Sequence, residues 1–325
     1  MCPGQDTRYG STDYNPSLDR ESSDAIIPRA GGVLLEPFDF VSPSSIDEAV
    51  KTLASSGDQA RIMAGGTDML VQMRAGRRTA PLVVDIKGIP ELNALTYDAS
   101  KGLILGAAVP CYRIYQDATV AAAYPGLIDS AFLIGGIQIQ GRATVGGNIC
   151  NAAPSGDAIP AVIALSGICN IAGPNGTREL AAEEFCTAPG RNALENGEIL
   201  VSISIPAPQA KSGASYLRFI PRNEMDIAVA GVGSSVVLDA SGQNFVSARI
   251  SLASVAPTPV FAKEAGDSLA GKAVSEEAIQ QASELAQAAA KPISDMRGTI
   301  RQRTHLIGVL TRRTLNIAIE RARGG

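Results

Sequence analysis

Two glycine-bearing segments carry the clearest chemistry in the sequence. The first, Ala64-Gly65-Gly66-Thr67-Asp68-Met69-Leu70, directly follows the apolar run Arg61-Ile62-Met63-Ala64. Paired glycines let a backbone approach a ligand closely and permit positive φ. Consecutive N–H groups at such a turn form an anion-binding nest, and Thr67 adds a hydroxyl donor. The spacing matches neither a Walker loop nor G-x-G-x-x-G. The residues alone therefore describe a phosphate loop of unspecified kind, or a plain tight turn. The second segment runs from Arg142 through Thr144, Gly146, Gly147 and Asn148 to Ser155 and Asp157. At a polar turn Asp157 is suited to accept ribose hydroxyls; an Asx turn or a helix N-cap is the alternative. One Gly-Gly loop says little, whereas two suggest a ligand with two phosphates held from both sides.

Other reactive residue types offer less. Gly231-Val232-Gly233-Ser234-Ser235 lacks the third glycine of a dinucleotide fingerprint and sits inside a strand-like run, so a structural role is expected. The five cysteines, Cys2, Cys111, Cys150, Cys169 and Cys186, are odd in number and contain no C-x-x-C pair. That pattern argues against a disulfide framework and against a zinc or iron–sulfur site in this chain. It fits a reduced, cytoplasmic protein, with Cys111 and Cys150 as small core residues. The single histidine, His305, is expected to pack or face solvent, and leaves little room for Ser-His or Cys-His catalysis.

The elements that must position the two loops follow from periodicity. Ser45-Ile46-Asp47-Glu48 is a capping box; Ile46, Ala49, Val50, Leu53 and Ala54 continue at helical spacing until Ser55-Ser56-Gly57 stops the helix. Strands are expected at Arg61–Ala64, Leu82–Ile86 and Leu103–Ala107, and helices near 112–123 and 125–135. Ile168–Ala172, the Asn175-Gly176 turn and Ile199–Ile205 read as strands with a hairpin. Pro206-Ala207-Pro208 marks a boundary. Beyond it, strands at Tyr216–Ile220, Ala228–Leu238 and Ala248–Val255 precede helices at 275–290 and 299–323. Seven arginines of the last region, Arg297, Arg301, Arg303, Arg312, Arg313, Arg321 and Arg323, read as a solvated face, with an acidic partner surface or anion site as the alternative.

Bulk properties narrow the function. With 325 residues, 45% of them hydrophobic, the chain suits two or three domains. A net charge of −4, no Trp and 4% aromatic residues disfavour nucleic-acid binding. The polar N-terminus is not a signal peptide, and no stretch of about 18 apolar residues is present to span a membrane.

The pair A-G-G-T-D and A-T-V-G-G-N-I resembles the medium, FAD-binding subunit of the xanthine dehydrogenase / carbon monoxide dehydrogenase family of molybdenum hydroxylases. The resemblance runs from about residue 34 to 322 and includes Arg222-Asn223-Glu224-Met225-Asp226-Ile227-Ala228 and Ser294-Asp295-Met296-Arg297-Gly298-Thr299. It implies an α+β chain: a vanillyl-alcohol-oxidase/PCMH-type FAD-binding domain over 33–208, then a C-terminal α+β domain of antiparallel sheet and helices over 209–325, behind an N-terminal extension of 1–32. It implies non-covalent FAD, a large molybdopterin-binding subunit, a small subunit with [2Fe–2S] clusters, and a dimer of heterotrimers. By motif, Ala64, Gly65, Gly66, Thr67, Asp68, Met69 and Leu70 would wrap the pyrophosphate, with Met63 as a further cofactor contact. Thr144, Gly147, Asn148 and Asp157 would hold the rest of the dinucleotide, with further contacts from Ala107, Ile134, Leu200 and Arg218. Arg222 and Asp226 match a loop near the isoalloxazine.

In that reading the organic substrate is oxidised in the large subunit, and this chain relays electrons from the iron–sulfur clusters to an external acceptor. His305 lies far in sequence from both loops, against a histidyl–flavin bond. Asn148 to Pro160 lacks the cysteine-rich insertion of the benzoyl-CoA reductase branch. A stand-alone FAD-dependent oxidoreductase would need its own substrate pocket and base, and an assembly subunit that had lost FAD would not keep both glycine pairs.

Overall fold

Ser45 starts the first helix as the capping box requires, and the helix Ile46–Ser56 follows with Ala49 and Leu53 buried. The Ser45 hydroxyl accepts from the Glu48 N–H, while the Glu48 carboxylate reaches back to the N–H of Ser44, one residue earlier than the motif implies. The computed structural model describes residues 35–324. The expected N-terminal extension lies outside the described residues.

Strands β1 (Asp39–Val41), β2 (Ala60–Met63) and β3 (Leu82–Asp85) form a parallel sheet in the order β1-β3-β2. Parallel neighbours need crossover connections. The helix Ile46–Ser56 lies in the connection from β1 to β2, and the first glycine loop with the helix Met69–Arg74 lies in that from β2 to β3. The loop thus leaves the carboxyl end of a parallel strand, where open sheets of this kind bind ligands.

A second, antiparallel sheet is built from β4 (Leu95–Asp98), β5 (Gly102–Gly106), β6 (Ile168–Gly173), β7 (Gly176–Ala181) and β10 (Ile199–Ile205), in the order β4-β5-β10-β6-β7. Between β7 and β10 lies a two-stranded ladder of β8 (Cys186–Ala188) and β9 (Arg191–Asn192). Leu103, Leu105, Ile171 and Ile203 of this sheet share a core with Ile114, Leu127, Ile149 and Ile159 of the intervening helices. Each such side chain contributes about 1.5–3 kcal/mol on burial.

Strands β11 (Ser212–Phe219), β12 (Ala230–Leu238), β13 (Phe245–Ala253) and β14 (Val260–Phe261) form an antiparallel meander. The helices Glu276–Ala289 and Ile300–Arg323 bury Ala282, Ala286, Ile307 and Leu315 against Val232, Val236, Ile250 and Leu252. The chain is α+β, as expected. Among the described residues no helix is long and apolar enough to cross a membrane.

The structure departs from the sequence reading at one helix and at the C-terminal arginines, and agrees with it at Gly231-Val232-Gly233-Ser234-Ser235. The helix expected near 112–123 breaks at Asp117, whose carboxylate accepts from Thr119 and Val120 and so starts Ala118–Ala123 afresh. The run Gly231-Val232-Gly233-Ser234-Ser235 is mid-strand; a Cβ on Gly233 would lie 2.6 Å from the Pro160 carbonyl oxygen, so close packing explains the glycine. The arginines near the C-terminus are not simply a solvated face. Arg303 is buried, Arg321 makes a two-pronged pair with Asp129 at 2.6 and 3.0 Å, Arg323 donates to the Gly242 carbonyl, and Arg312 donates to Gln280 and Ser283. These guanidiniums tie the last helix to other elements; Arg301 and Arg313 remain exposed.

Candidate functional site

The two glycine segments meet. Strand β2 ends at Met63, whose carbonyl accepts from the Ile86 N–H at 3.1 Å; the chain then turns through Gly66 at φ +77° into the helix Met69–Arg74. Only glycine takes that φ without penalty. The second segment is not an open loop: it is the start of a helix, Val145–Asn151, capped by the Thr144 hydroxyl, which accepts from the Gly147 N–H at 2.8 Å. Gly65 packs directly on the peptide that opens this segment, since a Cβ there would lie 2.1 Å from the Arg142 carbonyl oxygen.

Between the segments lies a cavity of about 580 Å³, within the usual range for small-molecule sites. Met63, Ala64, Gly65, Gly66, Thr67, Asp68 and Met69 line it from one side, and Ala107, Thr144, Gly147 and Asn148 from the other. Ile134 and Leu200 complete its apolar wall. Leu70, Asp157 and Arg218 do not reach it. Sequence reasoning missed Arg61, Gln72, Arg78, Asn151, Asn192 and the segment Leu194–Ile199, all of which also line it. Arg61 was visible as a charge on a strand running into a glycine loop; the others are brought in by tertiary packing and left no local signal.

The lining fits a dinucleotide pyrophosphate. Among the described residues, the N–H groups of Gly65, Gly66, Thr67 and Asp68 meet no protein acceptor. A row of backbone donors without protein partners suits anionic oxygens. Arg61 and Arg78 are the cationic residues of a lining that also holds Asp58, Glu195 and Glu198, while Leu53, Ile62, Ile134 and Leu200 offer an apolar face to a ring. Asp68 sits at the rim; desolvation there raises its carboxyl pKa, opposed by Arg78.

Asp157 has a different place from the one expected. It stands at the N-cap position of the helix Ala158–Ala164 but makes no cap bond; the Asn148 side chain accepts from the Ala158 N–H instead. The Asp157 carboxylate accepts from the Tyr216 hydroxyl at 2.7 Å and from Arg218 at 2.5 Å, all three groups being buried. It therefore joins the second sheet's helices to β11 beside the cavity. Arg222 and Asp226 pair at 3.2 Å on an exposed loop and do not line the cavity, and His305 is an exposed residue of the last helix. Cys150 lines the cavity, and Cys111 and Cys169 are core residues; burial pushes all three thiols up, so they are weak nucleophiles.

Residues 36–208 match the family described as the FAD binding domain in molybdopterin dehydrogenase. The chain belongs to that family. Residues 215–318 match the CO dehydrogenase flavoprotein C-terminal domain. This flavoprotein chain is 34% identical over 286 residues to the carbon monoxide dehydrogenase medium chain of Afipia carboxidovorans, covering 88% of this chain and 98% of the relative. It is 31% identical over 291 residues to a putative xanthine dehydrogenase FAD-binding subunit of Escherichia coli, covering 88% and 99%. Among solved structures, a reconstituted CO dehydrogenase from Oligotropha carboxidovorans superimposes with a TM-score of 0.84 at 32% identity, covering 89% of this chain and 99% of that one. The glycine-lined cavity thus lies within the FAD-binding domain, and the flavoprotein is an oxidoreductase chain.

The Asp157 cluster gives a pH signature. Burial pushes its carboxyl up from 3.8 to about 6, against the pull of Arg218. Between those values the folded flavoprotein holds the proton more tightly than the unfolded chain. The stabilisation from this group is then fully present below 3.8 and is lost as pH rises through 6. Urea unfolding of wild type and Asp157→Asn from about pH 4 to about pH 7 is expected to show wild type losing ground to the variant across that window. A difference independent of pH would contradict the assignment.

Proposed function

We propose that this chain is the FAD-binding electron-transfer subunit of a molybdopterin-dependent hydroxylase, with the pyrophosphate between the two glycine segments. The observation that carries the reading is the convergence of those segments, with four N–H donors free of protein acceptors, on one cavity inside the FAD-binding domain. Gly65 to Asp68 hold phosphate oxygens through the backbone, Arg61 and Arg78 balance their charge, and Thr144, Gly147 and Asn148 hold the opposite side. Ala107, Ile134 and Leu200 provide apolar contact and exclude water. Asp157 and Arg218 act one layer back, fixing the helix that follows Asn148. When bound, FAD supplies a carrier that accepts electrons from a one-electron donor and hands them to an acceptor.

The domain borders are assigned at 33–208 for FAD binding and 209–325 for the C-terminal unit. The partners are a large molybdopterin-binding subunit and a small [2Fe–2S] subunit, assembled as a dimer of heterotrimers in the cytoplasm. Support comes from relatives described as medium chains and FAD-binding subunits that match over nearly their whole length.

Flavin analysis tests the cofactor directly. One FAD per chain is expected, released by acid or denaturant, because the only histidine is on the last helix rather than in the cavity lining. Denaturing mass spectrometry is expected to return the unmodified polypeptide mass. A flavin adduct would overturn non-covalent binding, and a flavin-stripped chain that takes up no FAD would overturn the functional reading.

A further inference from the structure

We propose that Arg142 is a positioning residue for FAD, which aims a backbone donor of the first glycine segment into the cavity. The inference rests on the FAD reading above. The Arg142 side chain folds back so that its Nε–H donates to the Gly65 carbonyl oxygen at 3.0 Å. Arg142 does not line the cavity, whereas Gly65 and Gly66 do. A trans peptide unit is planar, with C=O and the next N–H pointing in opposite directions. Holding the Gly65 carbonyl toward Arg142 therefore turns the Gly66 N–H away from Arg142, on the side where an anion would lie. That N–H is one of the donors without a protein acceptor among the described residues.

The need for such a device follows from the sequence. A peptide between two glycines flips at low cost, because neither side has a Cβ to resist rotation. Only one orientation offers the N–H to phosphate, and time spent in the other lowers apparent affinity in proportion. Arg142 removes the second orientation. A further fastening acts at the far end: Gln72, on the helix after the first segment, donates to Asn151, the last residue of the helix in the second segment, at 3.2 Å. The two segments are tied at both ends before the cofactor arrives.

The test uses the full flavin-stripped chain titrated with FAD, with melting of the cofactor-free chain measured in parallel. Arg142→Ala is expected to raise the FAD Kd about tenfold, the effect of one charge-assisted hydrogen bond. The loss should persist at high salt, because it arises from orientation rather than long-range attraction. Melting of the cofactor-free variant should move by no more than about 3 °C. Arg142→Lys is expected to fall between the two, since an ammonium supplies a donor without the planar fork; it also serves if the alanine variant fails to fold. Unchanged affinity in both variants would overturn the proposal. So would a loss that vanishes at high salt, which would make Arg142 a distant charge, or one matched by a large melting shift, which would make it merely structural. Failure of wild type to take up FAD would sink the functional reading instead.

Discussion

Gly66→Val and Gly147→Val are each expected to abolish stable FAD binding while leaving the fold largely intact. At Gly66 the backbone has φ +77°, a region that valine resists, and the added side chain points toward Met63 and Leu70, whose flexible ends are 3.2 to 3.5 Å away. Neither neighbour is backbone, so the scaffold yields while the nest is distorted. At Gly147 a Cβ would lie 2.9 Å from the Thr144 hydroxyl, displacing the cap that starts the helix Val145–Asn151. At Gly66, two charge-assisted bonds lost from the distorted nest at roughly 1.5–3 kcal/mol each would weaken binding by about two to four orders of magnitude; at Gly147 the loss comes through the displaced Thr144 cap. Gly65→Val should behave differently. Its Cβ would overlap the Arg142 carbonyl at 2.1 Å, against backbone that cannot rotate aside, so the two segments must part and stability should fall along with FAD. Flavin-to-protein ratio and thermal melting of the purified variants check all three. Wild-type occupancy in the Gly66 and Gly147 variants would refute the site.

The second large effect is expected at a residue outside the cavity lining. Arg303 is buried on the last helix and donates to the Val229 carbonyl at 2.7 Å, the Ser254 carbonyl at 2.9 Å and the Asp295 carboxylate at 2.7 Å. It binds three chain segments that carry little regular structure of their own. Arg303→Met keeps much of the volume but leaves two carbonyls without their donor, at about 1–3 kcal/mol each. Asp295 is a third exposed and regains water. A loss of about 3 kcal/mol is expected, read as a lower urea midpoint at unchanged slope. FAD affinity measured on the folded variant should change little, because Arg303 does not touch the cavity. An unchanged midpoint would show that these bonds do not stabilise the fold.

Much of this architecture was legible because its signals are local. The capping box at Ser45, the alternating strands and the final amphipathic helices each state their structure within a few residues, and the structure follows them. The glycine pairs were legible because a close backbone approach and a positive φ leave few other residue choices. The helix in the second segment was not legible, since glycines at its start weaken helical propensity and its order comes from the Thr144 cap and packing on Ala107. Asp157 was misplaced for a related reason. A carboxylate at a polar turn suits a ribose, a cap or an ion pair equally well, and Tyr216 and Arg218 decide the matter from β11, far away in sequence. Arg78 and Asn192 reach the cavity only through tertiary contacts. The arginine-rich end read as solvated because its partners, Asp129, Gly242, Val229 and Ser254, lie on other elements.

On the proposed reading, this chain holds FAD as one subunit of a larger molybdenum enzyme. Native mass spectrometry of the protein purified from its own cells tests it most directly. The expected result is an assembly in which this chain carries one FAD and co-purifies with two other polypeptides, one binding molybdopterin and one binding iron–sulfur clusters. A stable single chain, loaded with FAD and catalytically competent without partners, would contradict it.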